Sequence, residues 1–78
     1  MPYIKAEFRE TIGIVPTSPG ELNYVITKIC NNYKCGKGES YQTYNDIIGV
    51  LEACKLELYR RKVAPYEDRK IQENGDVY

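Results

Sequence analysis

The clearest hydrophobic pattern in the chain follows a helix-start signal at residues 18–21. Serine, proline, glycine and glutamate stand there in order, which gives a capping side chain, a proline in the first helical position and a glutamate three residues after the cap. Apolar residues then recur at helical spacing, at Leu22, Val25, Ile26, Ile29, Cys30 and Tyr33. The pattern predicts a helix over about 19–33, ended by a turn at the glycine-containing segment 34–38.

A second apolar stripe predicts a longer helix over about 44–63. Thr43 is the predicted cap, and a stripe of apolar residues follows it: Ile47, Val50, Leu51, Cys54 and Leu58. Ile48 and Leu56 lie off this stripe and widen the apolar surface, which favours a second partner helix or a second subunit. Gly49 costs about 1 kcal/mol relative to alanine inside a helix, and close approach of another backbone would compensate for it.

Pro65 interrupts the helical pattern and leaves two possibilities. Either a new helix starts there and runs over about 65–73, or the long helix kinks at the proline. Asn74 and Gly75 supply the C-terminal stop in both cases. The sequence therefore predicts an all-α fold, a small bundle of about three helices in one domain over 1–78.

The first 17 residues form a separate head in this prediction. Ile4, Phe8 and Ile12 repeat every four residues, which favours a short helix over about 5–11, and Gly13 permits an extended strap after it. We expect residues 1–17 to be an irregular or short-helical strap on a helical core formed by 18–78.

Length and composition limit the sources of stability. A chain of 78 residues is near the lower size limit for a self-sufficient core, and disulfides, metals or oligomerisation usually supplement such a core. The chain has no histidine, and its three cysteines, Cys30, Cys35 and Cys54, lack paired spacing and are odd in number. No apolar run approaches the ~18 residues of a membrane span, and no signal peptide is recognisable. We expect a cytoplasmic, reduced homo-oligomer without metal, cofactor or membrane contact.

The charge balance points to a small ligand rather than a polymer. Eleven basic and eleven acidic residues cancel, whereas binding to nucleic-acid polymers draws on a net positive field. Basic residues are nevertheless clustered at Arg60, Arg61 and Lys62, and again between Lys28 and Lys37. The segment 34–38 does not have the full P-loop spacing, so an ordinary loop is favoured over a phosphate cradle there.

Tyrosine and arginine supply the candidate binding chemistry. Of the eight tyrosines, Tyr24 and Tyr59 lie off the apolar stripes and are free to stack on a planar ligand. Lys55 and Arg60 flank Tyr59 and suit phosphate oxygens. The competing interpretation is structural, with tyrosines in packing and Arg61 and Lys62 as solvated cations at a helix end.

Enzyme activity is not predicted. In the absence of histidine, a nucleophile would have to be a cysteine or serine, and Cys35 beside Lys34 and Lys37 is the best candidate. No base or orienting partner can be assigned to it. The chain is therefore expected to bind rather than to catalyse.

Five segments carry a resemblance to a known family. They are residues 22–27 (LNYVIT), 45–52 (NDIIGVLE), 55–61 (KLELYRR), 65–68 (PYED) and 73–78 (ENGDVY). In combination they resemble a large group of short phage and prophage proteins without assigned function. The resemblance covers about 20–78 and does not extend to the head or to the segment around Cys35.

The chain is also similar in size and helical build to phage sponge proteins (anti-CBASS proteins), which sequester cyclic nucleotide signals of host defence. This resemblance implies a homo-oligomer, a tetramer, that holds a cyclic dinucleotide such as cGAMP in the host cytoplasm. Under this hypothesis Tyr24 and Tyr59 stack on bases, and Lys55 and Arg60 bind phosphates. Asn23 and Asn45 contact base edges or ribose.

Two other functions fit the same residues. In the first, the face that bears tyrosine and arginine docks on a host or virion protein, which makes the chain an interaction module. In the second, the broad apolar face only builds oligomers, and the protein is a structural helper.

Overall fold

The computed structural model describes residues 4–9 and 15–78, and the regular structure in these ranges is helical throughout. Helix α1 spans Ala6–Arg9, α2 Pro19–Lys37, α3 Tyr41–Leu58 and α4 Ala64–Asn74, with a π-helical turn at Tyr59–Val63 between the last two. The all-α prediction is confirmed. The chain divides into two compact units, Met1–Tyr44 and Asn45–Tyr78, and each is described on its own. The single domain over 1–78 stays a prediction.

The head is described in part. Helix α1 lies within the range predicted for a short helix, over 5–11, and Arg9 Nε donates to the carbonyl oxygen of Ile4 at 2.8 Å. The predicted strap around Gly13, and the C-terminal end of the predicted short helix, fall on residues 10–14, which lie outside the described residues.

Helix α2 starts where the sequence predicts, because Ser18 caps it. The Glu21 N–H donates to Ser18 Oγ at 3.1 Å, and Ser18 has the extended backbone of a cap residue. The Glu21 carboxylate in turn accepts from the N–H and the hydroxyl of Thr17, both at 3.1 Å. The reciprocal bond thus reaches one residue further back than in the standard capping box.

Helix α2 ends one turn later than predicted. It continues through Gly36 to Lys37, so the turn predicted over 34–38 is wrong for all but its last residue. Gly38 terminates the helix at φ 92, and its N–H donates to the Lys34 carbonyl oxygen at 2.8 Å. Glycine adopts this left-handed backbone without the steric cost of a Cβ. Gly36 costs the helix only about 1 kcal/mol, which a continuous helix tolerates.

Helix α3 begins three residues before the predicted start, and the predicted cap is wrong. Ser40, not Thr43, accepts the capping bond, from the Thr43 N–H at 3.1 Å. The Ser40 hydroxyl also donates to the Thr43 hydroxyl at 3.0 Å. Thr43 is 7% exposed. Two hydroxyl residues at this spacing both qualify as caps by sequence, and the upstream one is used.

Pro65 neither ends the helix nor starts a separate one. The Ala64 N–H donates to the Tyr59 carbonyl, five residues back, and the residues flanking the turn keep right-handed helical backbone. In a regular α-helix the proline ring would collide with the carbonyl of Arg61, four residues before it. A π turn inserts one residue per turn and displaces that carbonyl. Residues 41–74 are therefore one helical path with a widened turn, which resolves the choice left open by the sequence.

The C-terminal stop at Gly75 is confirmed. Helix α4 ends at Asn74, Gly75 has φ 88, and its N–H donates to the Ile71 carbonyl oxygen at 2.8 Å.

The described residues contain no buried apolar side chain. The predicted stripes lie on the helices as expected, yet between 40% and 66% of each of these side chains is exposed: Leu22, Ile26, Ile29, Ile48, Val50, Leu56 and Leu58. A Cβ built at Gly49 would meet no atom within 4 Å, so nothing in the described chain makes the close approach that was predicted there. No helix among the described residues is long and apolar enough to cross a membrane.

We predict that Ser18→Ala destabilises the protein by about 1 kcal/mol, because the Glu21 N–H loses its acceptor. Ser18→Asp is the matched control and retains the cap. Urea unfolding followed by circular dichroism at one fixed protein concentration measures both. Equal unfolding midpoints for the two variants would contradict the role of Ser18.

Candidate functional site

The six residues predicted to bind ligand are divided between the two units. Asn23 and Tyr24 lie on α2 in the first unit, whereas Asn45, Lys55, Tyr59 and Arg60 lie on α3 and the π turn in the second. Each group is therefore described within its own unit.

In the first unit, both candidate side chains already have partners. Asn23 Oδ1 accepts a hydrogen bond from the Thr27 hydroxyl at 3.1 Å. The Arg9 guanidinium carbon lies 5.9 Å from the centre of the Tyr24 ring, within cation–π range. Tyr24 is half-buried. A base that stacks on the ring face used by Arg9 would have to displace that guanidinium group.

In the second unit, Lys55, Tyr59 and Arg60 form a local group. Lys55 and Tyr59 are four residues apart and share a face of the helix, and Arg60 follows Tyr59 directly. Asn45 precedes Lys55 by ten residues, which is roughly 15 Å of helix rise. Asn45 is thus separated from the other three within one copy, and it would contact a different part of a ligand or a different ligand.

The Tyr59 hydroxyl donates to the Glu67 carboxylate at 2.5 Å and so ties the two sides of the π turn together. This bond, with the nearby negative charge of Glu67 and some desolvation, raises the pKa of Tyr59 above its ordinary value. The ring is 49% exposed. Tyr59 is therefore a partly covered aromatic ring held at its polar tip, with ring surface still available to a partner.

The cations beside Tyr59 are held by weak ion pairs. Lys55 Nζ lies 3.0 Å from Glu52, and Arg60 Nη2 lies 3.2 Å from both oxygens of Glu57. The Lys55 and Arg60 side chains are 67% and 73% exposed. Exposed pairs at this spacing are worth about 0.2–0.5 kcal/mol each, so an incoming phosphate can replace the carboxylates at small cost.

An open depression of about 650 Å³ lies beside this group and does not include it. Its lining residues are Ala53, Cys54, Glu57, Leu58, Arg61 and Lys62. Arg61 Nη1 lies 3.6 Å from Glu57, and the lining combines one acid and two bases with Ala53, Cys54 and Leu58. We call these six residues the 53–62 surface.

Sequence reasoning did not identify Glu67. Arg61 and Lys62 were named in the basic cluster and, in the competing interpretation, as solvated cations at a helix end; Arg61 is exposed, but the helical path continues past both residues to Asn74. Glu67 lies eight residues from Tyr59, a separation that helical pairing rules do not connect. The only sequence signal for that bond is Pro65, which favours an irregular turn between the two residues.

Two observations bear on metal binding and on the candidate nucleophile. The described residues contain no group of three or more histidine, cysteine or acidic residues that could hold a metal ion. Cys35, the best nucleophile candidate by sequence, is a free, exposed residue near the end of α2.

A comparison with known families identifies one match. A family model described as "Domain of unknown function (DUF6899)" matches residues 1–77. The match agrees with the resemblance to a family of unassigned function, and it includes the head, which that resemblance did not cover. No curated protein and no solved structure matches the chain.

We predict that Glu67→Gln lowers the pKa of Tyr59, since the neutral amide is a weaker acceptor and carries no charge. The bond stabilises the native protein below about pH 10, the ordinary tyrosine pKa, and this contribution is lost as pH rises through the raised pKa. Alkaline titration of tyrosinate absorbance measures the shift.

The control for this titration is Glu73→Gln, which removes a carboxylate bonded to Lys70 on the same helix. Its titration curve should follow that of the wild type. Superimposable curves for Glu67→Gln and the wild type would show that the Tyr59–Glu67 bond does not form.

Proposed function

The chain belongs to this family of domains of unknown function (DUF6899), and we propose that it is a non-catalytic phage protein that sequesters a cyclic dinucleotide. In this proposal four copies assemble, bind a signal nucleotide of host defence in the host cytoplasm, and withhold it from its effector. The observation that carries the proposal is the Tyr59 ring, braced by Glu67 and flanked by the exposed cations Lys55 and Arg60.

The chemistry of the ligand matches this group. Tyrosine rings stack on purine faces, and stacking is worth about 1–3 kcal/mol per base. A guanidinium group binds phosphate through two parallel hydrogen bonds, and the ammonium group of Lys55 adds a point charge. A cyclic dinucleotide presents two bases and two phosphates in one compact ring. One copy of the chain supplies one such group, so a twofold pair of copies supplies both.

The preorganised ring favours binding over a transient contact. The hydroxyl of Tyr59 is bonded across the π turn, so its ring loses less conformational freedom when a base stacks on it. The competing ion pairs of Lys55 and Arg60 with Glu52 and Glu57 are exposed and therefore weak. When a phosphate binds, Lys55 and Arg60 exchange a weak surface ion pair for a charge-assisted hydrogen bond to the ligand.

Self-association is supported by the exposure of the apolar stripes. Fully burying a leucine or isoleucine stabilises a protein by about 1.5–3 kcal/mol, and the described helices leave several such side chains in solvent. Covering them between copies supplies the burial that one copy lacks. Gly49, with open space around its α-carbon, is suited to close helix approach from another copy.

The phage origin and the sequestering role are supported by the sequence resemblance, and the residue chemistry is compatible with them. Withholding a signal requires affinity without turnover, which a chain without histidine can provide. Asn23, Tyr24 and Asn45 remain candidate contacts to bases and ribose in this proposal.

A second function is favoured by the same exposed apolar side chains. If the face that bears tyrosine and arginine docks on a host or virion protein, and that protein rather than another copy covers the exposed apolar side chains, the chain is an interaction module. The apolar exposure fits either partner. The Tyr59 ring and its neighbouring cations have a role in binding bases and phosphates only if the chain sequesters a cyclic dinucleotide.

We predict that isothermal titration detects binding of at least one of the common cyclic dinucleotides. The bound ligand should be recovered without hydrolysis after the titration. Arg60→Ala should weaken binding roughly 10- to 100-fold, because a hydrogen bond to a charged group is worth about 1.5–3 kcal/mol. Arg69→Ala is the control, since Arg69 lies beside Tyr66 on α4 instead. Alanine variants of Asn23, Tyr24 and Asn45 test the remaining contacts in the same titration.

No heat with any cyclic dinucleotide at micromolar concentrations would refute the sequestering function. Equal losses of affinity for Arg60→Ala and Arg69→Ala would instead show that Arg60 does not contact the ligand. Recovery of a hydrolysed ligand would contradict the non-catalytic role.

A further inference from the structure

We infer that the 53–62 surface binds the same surface of a second copy, with the two helices antiparallel. This inference rests on the self-association included in the proposed function and does not depend on the ligand. Its occupant is a second copy of this chain, and the argument comes from charge, shape and exposure at the surface.

The charges on the surface are complementary to themselves. Glu57 and Arg61 are four residues apart, which is roughly 6 Å along a helix. Two antiparallel copies centred between these positions place Glu57 of each copy level with Arg61 of the other. A parallel arrangement places glutamate against glutamate and arginine against arginine, which is repulsive. The antiparallel twofold pairing satisfies all four charges at once.

The pairs inside one copy do not compete strongly with this arrangement. Glu57 is paired within the copy with Arg60, at 3.2 Å, and with Arg61, whose Nη1 lies 3.6 Å away, and all three side chains are at least 56% exposed. A surface ion pair of this kind contributes little in water. Arg61 can therefore exchange Glu57 of its own copy for Glu57 of the second copy at little cost. The new pair is shielded from solvent by the contact between the copies.

Half of the six residues of the surface are apolar. Cys54 and Leu58 are among them, and Leu58 is 60% exposed. On the same stripe Val50 is 61% exposed, whereas Leu51 is 37% exposed and Ile47 is half-buried. Leu58 is thus among the residues of the stripe that lack a cover. A surface that combines apolar residues with charged ones is suited to a contact between proteins.

A nucleotide is a poor occupant for the same depression. None of its lining residues is aromatic, so the depression offers no ring on which a base could stack. Lys55, Tyr59 and Arg60 do not line it. A twofold contact through the 53–62 surface therefore closes a pair of copies and leaves the proposed ligand group outside it. A second contact of a different kind would then make the tetramer.

The test uses two charge-reversal variants, each measured alone and then mixed. Glu57→Arg places two arginines on the surface, and Arg61→Glu places two glutamates there. Each variant alone then opposes like charges across the twofold axis, and its self-association should weaken by about tenfold or more. An equimolar mixture restores opposite charges at every contact and should regain the wild-type mass in sedimentation velocity.

The controls are Glu73→Arg and Lys70→Glu, which reverse the charges of a matching pair on α4 outside the 53–62 surface. Both should keep the wild-type mass. Wild-type mass for Glu57→Arg and Arg61→Glu alone, or failure of their mixture to associate, would overturn the inference. These measurements are made without nucleotide. If either of these results is obtained and the protein still binds a cyclic dinucleotide, the inferred interface is refuted and the proposed function stands.

Discussion

A shortage of apolar burial among the described residues of one copy governs the rest of this structure. The described helices have sound local signals at their ends, in Ser18, Ser40, Gly38 and Gly75, yet none of their apolar side chains is buried. Caps contribute about 1 kcal/mol each, whereas fixing the backbone of each residue costs about 1–2 kcal/mol in chain entropy. Local signals alone cannot offset that cost. In the proposed function, assembly of several copies buries the exposed apolar stripes and so supplies the missing stabilisation.

The widened turn at Tyr59–Val63 connects the backbone to the proposed chemistry. Pro65 removes a backbone donor and forces the turn, and the Tyr59–Glu67 bond spans it. The same few residues therefore set the direction of α4, hold an aromatic ring and present Arg60 and Arg61 to different surroundings. In the proposals, Arg60 meets the ligand and Arg61 meets a second copy. A change at Pro65 would disturb both surfaces together.

Features with local causes were predictable from the sequence, and features with competing causes were not. The start of α2 follows from Ser18 with a proline directly after it, and the end of α4 follows from Gly75. The start of α3 was placed too late because Ser40 and Thr43 both qualify as caps. The Tyr59–Glu67 bond was out of reach because a π turn changes which residues are neighbours. For the candidate site, the sequence identified the ring and the cations, whose partners Glu52 and Glu57 lie at ordinary helical spacing, but not Glu67, which accepts from the Tyr59 hydroxyl.

Thermal unfolding at a series of protein concentrations tests most directly whether the fold depends on assembly. Because association stabilises the native state by mass action, the midpoint temperature should rise steadily over a roughly hundredfold increase in concentration. Sedimentation of the same samples should show a complex of several copies. A fully helical monomer whose midpoint does not change with concentration would contradict the account, since one copy would then be stable with its apolar stripes in water.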